Sequence, residues 1–130
     1  MSDGASHILG LRTVIYRVPD LAQAVTFYAR AFGVAPYFSE PYYAGFRVGG
    51  FELGLDPDLS SGAPGAEGAT PYFGTDDLDA AVAHFIACGA NSRDAARDVG
   101  GGIRVATVSD PFGNVIGLIF NPHFDPSAVR

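Results

Sequence analysis

The chain has 130 residues, a formal net charge of −6 and 48% hydrophobic residues, one domain's length and enough to bury about two-thirds of its unfolded surface. Its 8 basic residues are all arginine. The acidic balance argues against nucleic acid, and the lack of lysine excludes a Schiff base and a phosphate-loop lysine. No apolar run approaches the roughly 20 residues of a membrane span, the N-terminus shows no signal-like core, and the single Cys88 allows no internal disulfide; a cytoplasmic protein with no membrane partner is expected.

In chain order, Met1 to His7 reads as a loose leader and Leu11 to Val18, rich in Val, Ile, Thr and Tyr, as a strand. Asp20 has the place of a helix N-cap. Leu21, Ala24, Val25, Tyr28, Ala31 and Phe32 follow at helical spacing before Gly33, a left-handed stop. Short strands are expected at Tyr37 to Ser39, Tyr43 to Val48 and Phe51 to Leu55, the last two joined through Gly49-Gly50 as a hairpin. Residues 57–68, rich in Pro, Gly and Ser, read as a linker. The second half offers a strand at Thr70 to Thr75, a helix capped by Asp76 or Asp77 and ending at Gly89, and a strand near Ser92 to Asp98. The hairpin Ile103 to Ser109 and Asn114 to Phe120 closes it, around the turn Asp110-Pro111-Phe112-Gly113. Residues 122–130 read as a surface tail. Cys88 falls on an apolar helix face and is expected as a small buried hydrophobe, while His7, His84 and His123 are dispersed and expected to face solvent.

The halves repeat each other. Laying Asp20 on Asp77 also lays Leu21 on Leu78, Ala24 on Ala81, Val25 on Val82 and Tyr28 on Phe85. Each half reads β-α-β-β-β, so the expected class is α+β, with module one at 8–56 and module two at 69–121 inside one domain of residues 8–121.

The helix start Val18-Pro19-Asp20-Leu21, the helix ending Phe27-Tyr28 with Phe32-Gly33 after it, and Asp110-Pro111-Phe112-Gly113-Asn114 with Ile116 together resemble the vicinal-oxygen-chelate superfamily. That group includes glyoxalase I, extradiol dioxygenases, fosfomycin-inactivating enzymes and bleomycin-binding resistance proteins. The resemblance implies two tandem βαβββ modules whose curled mixed sheets surround a concave ligand cleft, and it implies a homodimer. It also implies where metal ligands stand in catalytic members, and those positions here are Thr13, Gly54, Thr70 and Gly117. A hydroxyl is a poor neutral ligand and glycine has no side chain, so no metal and no other cofactor is expected.

Strand parity places the remaining candidates. If Val14, Tyr16 and Val18 pack on a helix, then Thr13, Ile15 and Arg17 face the cleft, joined by Glu52, Gly54, Thr70, Tyr72, Val115, Gly117 and Ile119. Gly54 and Gly117 either leave space where ligands project in relatives or relieve sheet twist. Arg47 and Arg104 sit mid-strand and need a partner, either an ion pair or a ligand. Glu52 is either surface carboxylate or counter-charge to a cationic ligand, and the cluster Tyr37, Phe38, Tyr42, Tyr43 and Phe46 offers stacking surface beyond core needs. The candidate ligand-binding set is Thr13, Ile15, Tyr43, Arg47, Glu52, Gly54, Thr70, Tyr72, Arg104 and Gly117. Two functions follow: a metal-independent protein that binds a bulky, partly aromatic or cationic small molecule, such as a drug or secondary metabolite; or a lyase, isomerase or dioxygenase-like enzyme with a non-standard metal site or metal-free acid/base catalysis on Glu52 with Arg47 or Arg104.

Overall fold

The computed structural model describes residues 7–130, so the leader expected at Met1 to His7 lies outside them except for His7. In order the chain forms β1 (Thr13–Arg17), α1 (Leu21–Phe32), β2 (Phe38–Glu40), β3 (Tyr43–Val48) and β4 (Phe51–Asp56), then β5 (Tyr72–Gly74), α2 (Leu78–Ala87), β6 (Asn91–Gly100), β7 (Ile103–Ser109) and β8 (Val115–Phe120). A short 3₁₀ turn at Pro126–Ala128 follows. The result is two tandem βαβββ modules, each a four-stranded mixed sheet, ordered β1-β4-β3-β2 and β5-β8-β7-β6. In each, the first strand runs parallel to the last and the other pairings are antiparallel.

Local chemistry sets the helix ends. Asp20 adopts extended backbone and its carboxylate accepts from Gln23 N at 3.0 Å, a cap that contributes about 1 kcal/mol. Gly33, at φ 70°, closes α1 by donating to Ala29 O at 2.9 Å. Of the two aspartates available to α2, Asp77 is the cap, accepting from Ala80 N at 3.1 Å. Strand β5 starts at Tyr72 and not Thr70, because Pro71 has no N–H to give a ladder.

One face of each sheet is covered by helices. Ala24, Phe27, Tyr28 and Ala31 of α1 are buried, as are Tyr16, Ala44, Phe46, Leu53 and Leu55 beneath them, matching helical spacing on one side and strand alternation on the other. Module two repeats the arrangement with Leu78 and Phe85 over Ala106, Val108, Ile116 and Leu118. The modules share this core: the Phe32 ring meets Phe73 and Phe85 edge-on, at centroid distances of 4.9 and 5.2 Å. Cys88 is half-buried and packs against the same core.

Buried hydrogen bonds fasten the seam. Tyr28 Oη donates to Asp110 Oδ2 at 2.7 Å, Tyr16 Oη to Val115 O at 2.8 Å, and Asn114 Nδ2 to Arg17 O at 2.8 Å. Asp110, 1% exposed, also accepts from Phe112 N, Asn114 N and Asn114 Nδ2 at 2.8 to 2.9 Å. The Asp-Pro-Phe-Gly-Asn stretch therefore makes a turn and also bolts module two to α1. Burial, then the Asp110 charge, pushes the Tyr28 phenol well above its ordinary range, so it stays a donor.

Candidate functional site

The other face of sheet one carries no helix, and there the register brings candidate residues into rows. Thr13 and Arg47 flank Glu52 across the strands; Ile15 and Gly45 flank Gly54, with Phe38 beyond Gly45. Parity works because Leu53 and Leu55 are needed inside, which forces Glu52 and Gly54 out.

The glycines do not leave space. A Cβ built on Gly54 would lie 2.0 Å from Tyr43 Oη, and one on Gly45 would lie 3.1 Å from Tyr37 Cε1. Two tyrosine rings thus lie over two glycines, and both reach the same carboxylate. Tyr43 Oη donates to Glu52 Oε2 at 2.5 Å, and Tyr37 Oη donates to Glu52 Oε1. The Arg47 guanidinium stacks on the outer face of Tyr37, 4.3 Å from its ring centroid, a cation–π contact. Phe38 stands beside Tyr42 and Tyr43 at centroid distances of 6.1 and 6.3 Å.

These contacts drive the titrations apart. The bonds from Tyr37 and then Tyr43 hold the Glu52 carboxyl below its ordinary range. The Glu52 bond is the main reason the Tyr37 phenol is raised; for Tyr43, burial comes first and the Glu52 bond second. Near neutrality the cluster is one carboxylate clasped by two protonated phenols.

Sheet two repeats the device in weaker form. Tyr72 pairs with Gly117, and a Cβ at 117 would meet Tyr72 Cδ2 at 2.5 Å and Pro71 O at 2.7 Å. The next position in that row is polar: Thr107 Oγ1 donates to Asp94 Oδ2 at 2.7 Å and accepts from Asp94 N at 3.1 Å. Thr70 lies before β5 and, with Ile15, lines a groove where the modules meet. Arg104 is not brought to either open face. It shares the helix-covered side with Ala106 and Val108 and pairs with Asp79 of α2 at 3.4 Å, so the ion-pair alternative describes it. Tyr37 and Gly45 lie with Glu52, and Arg17 lines the groove; Tyr37 and Arg17 are read from sequence as stacking surface and as cleft-facing, outside the candidate ligand-binding set, and Gly45 is not read at all. The signal for the first two was a tyrosine one strand away from a cleft-facing glycine.

The four positions where the resemblance implies metal ligands offer a metal no suitable donors. Thr13 and Thr70 offer only hydroxyls, and the space above Gly54 and Gly117 is filled by Tyr43 and Tyr72. Among the described residues no group of three His, Cys, Asp or Glu converges on a point. The exposed His84 and His123 rings are engaged by backbone: Nε2 of each contacts a carbonyl, Arg30 O at 3.0 Å and Gly101 O at 2.6 Å. A carbonyl only accepts, so Nε2 carries the proton in both. Cys88 Sγ lies 3.6 Å from the same His84 nitrogen, which therefore offers no lone pair to activate the thiol.

The sequence matches the family model of the Glyoxalase/Bleomycin resistance protein/Dioxygenase superfamily over residues 6–118. Solved structures share the fold. A glyoxalase-related enzyme from Fulvimarina pelagi superposes with a TM-score of 0.74 at 20% identity, over 88% of this chain and 90% of that one. A lactoylglutathione lyase from Agrobacterium tumefaciens gives 0.72 at 21% identity, over 89% and 98%. A glyoxalase/bleomycin resistance protein from Albidiferax ferrireducens gives 0.71 at 22%, over 86% and 98%. Comparison with curated protein sequences finds no match.

Proposed function

The chain belongs to the Glyoxalase/Bleomycin resistance protein/Dioxygenase superfamily, and from that premise we propose that the open face of its first sheet is a metal-independent binding surface for a bulky, partly aromatic or cationic small molecule. One observation carries the proposal: the Tyr43 hydroxyl occupies the space above Gly54 and is tied to Glu52. A tyrosine hydroxyl stands where the resemblance implies a metal-ligating side chain.

The chemistry of the face supports this ligand class. Tyr37, Phe38 and Tyr42 are exposed rings, and Tyr37 already stacks a planar cation in Arg47. Glu52, kept ionised by two phenols, supplies the counter-charge. Proton-transfer catalysis is the weaker reading, because a useful general acid or base has a pKa near the working pH, whereas Glu52 is pushed down and Tyr43 up. The lyase activity for which the Agrobacterium tumefaciens protein is named belongs to that protein.

We further propose a homodimer, for which the exposed apolar side chains Leu9 and Leu11 give support, and a cytoplasmic location, supported by the free Cys88. No helix of the described residues is long and apolar enough to cross a membrane.

The test is equilibrium dialysis and thermal shift against glycopeptide antibiotics and planar aromatic cations, with Glu52→Gln alongside. Binding that weakens about tenfold in E52Q, as expected for a lost charge-assisted contact, supports the proposal. Absence of binding across the panel counts against it.

A further inference from the structure

A groove of about 480 Å³ runs where β1, the connection between β4 and β5, and the start of β8 come together. It is separate from the Glu52 cluster, none of whose tyrosines lines it. Its walls are mainly apolar, from Leu11, Ile15, Ala63, Pro71 and Val115, and Arg17 is the one cationic side chain among its lining residues. Two features set that arginine apart. Its Nη2 donates to Ser61 Oγ at 2.9 Å, which leans the guanidinium toward the connection. Its Nε is shut off from solvent and has no hydrogen-bond partner. The ion pair Arg104 to Asp79 is the one formed among the described residues; Asp58 feels the Arg17 charge without reaching ion-pair distance.

A buried guanidinium N–H without an acceptor is unfavourable, because it has given up water and received nothing. An apolar wall ending in the groove's one guanidinium is complementary to a molecule with an apolar body and an anionic acceptor at one end, and Nε, closed to solvent, gains its acceptor only as the side chain shifts to meet that anion. Guanidinium and carboxylate match in geometry as well as charge, through parallel N–H···O bonds. We propose that this groove binds a small carboxylic acid with an aromatic or branched apolar body, its carboxylate on Arg17 and its body against Leu11, Ile15 and Val115. Glu67 lies at the exposed rim, where its charge opposes any anion and a dianion most. The backbone carbonyl of Arg17 is held by Asn114 Nδ2 at 2.8 Å, which fixes the strand that presents the guanidinium.

The experiment is a titration of the full chain with phenylacetate, followed by amide and methyl NMR, with phenylacetamide and phenethylamine as neutral and cationic controls. Expected are saturable shifts at Ala63, Val115 and Ile15, weakening of about tenfold in Arg17→Met, and little binding of the amine. Because Arg17→Met also alters the seam, Ala66→Phe provides a second variant, adding bulk at an exposed lining position and blocking phenylacetate with the fold intact. Tyr43→Phe leaves phenylacetate binding unchanged, which separates this groove from the Glu52 face. The proposal is overturned if phenylacetate gives no saturable shifts, if the amine binds as well as the acid, if Arg17→Met binds like wild type, or if the shifts map to Glu52. It is equally overturned if the Ala63 and Val115 signals move with protein concentration alone, which assigns the groove to a second copy of the chain.

Discussion

The Tyr43 hydroxyl stands 2.0 Å from where a Cβ on residue 54 would begin, so Gly54 and Tyr43 form one unit: the glycine admits the ring and the ring reaches Glu52. Alanine is normally better than glycine inside a strand, which makes Gly54→Ala diagnostic. It is expected to destabilise by about 1–3 kcal/mol through overpacking and loss of the half-buried Tyr43–Glu52 bond, and to cost far less in a Tyr43→Val background. Denaturant unfolding of the four-member cycle checks this; equal costs in both backgrounds would remove the coupling.

Glu52 contributes stability with a defined pH window. Its folded pKa is lowered, so the contribution is present above the unfolded value of about 4.3 and is lost as pH falls through the folded value below it. Comparing wild type with Glu52→Gln, the stability gap is expected to be constant at neutral pH and to close on acidification. A gap that widens toward low pH would mean the carboxyl prefers its protonated form.

The phenols give the converse. Tyr16, Tyr28 and Tyr43 are raised, each by burial first, so any stability they lend is present below about pH 10 and fades as pH climbs through their folded values. Phenolate absorbance is expected to show these three still protonated above the ordinary phenol range. A single transition of all six tyrosines at the ordinary value in the folded protein would contradict this.

The seam bolt is also measurable. Tyr28→Phe leaves Asp110 with its three remaining donors, and is expected to cost about 1–3 kcal/mol, the range for a buried bond to a charged group. Asp110→Ala strands the Tyr28 hydroxyl and both Asn114 donors, and is expected to cost more. Thermal unfolding that ranks the two in reverse would deny Asp110 its role as the hub.

Much of the fold was legible because its determinants are local. Asp20 and Asp77 cap helices by reaching three residues along the chain, and alternation in β4 separates Leu53 and Leu55 from Glu52 and Gly54. Counting back from the two caps picks out Thr13 and Thr70 as positions where the resemblance implies metal ligands. What sits over Gly54 and Gly117 was not legible, since it depends on how far a tyrosine on a neighbouring strand reaches and which way it leans. The same limit applied to Arg104. The sequence leaves Arg104 between ion pair and ligand contact, within the ligand-binding set, and only the packing of α2, which brings Asp79 to it, decides for the ion pair. The groove at Arg17 depends on the path of a connection that carries no periodic pattern.

Whether Tyr43 and Tyr72 occupy the space a metal would require is read out by elemental analysis of the purified protein after incubation with Zn, Ni, Mn and Fe salts and desalting. The expected result is no metal retained beyond trace amounts, and unchanged thermal stability. Stoichiometric retention of any one of them, lost in Glu52→Gln, would contradict it.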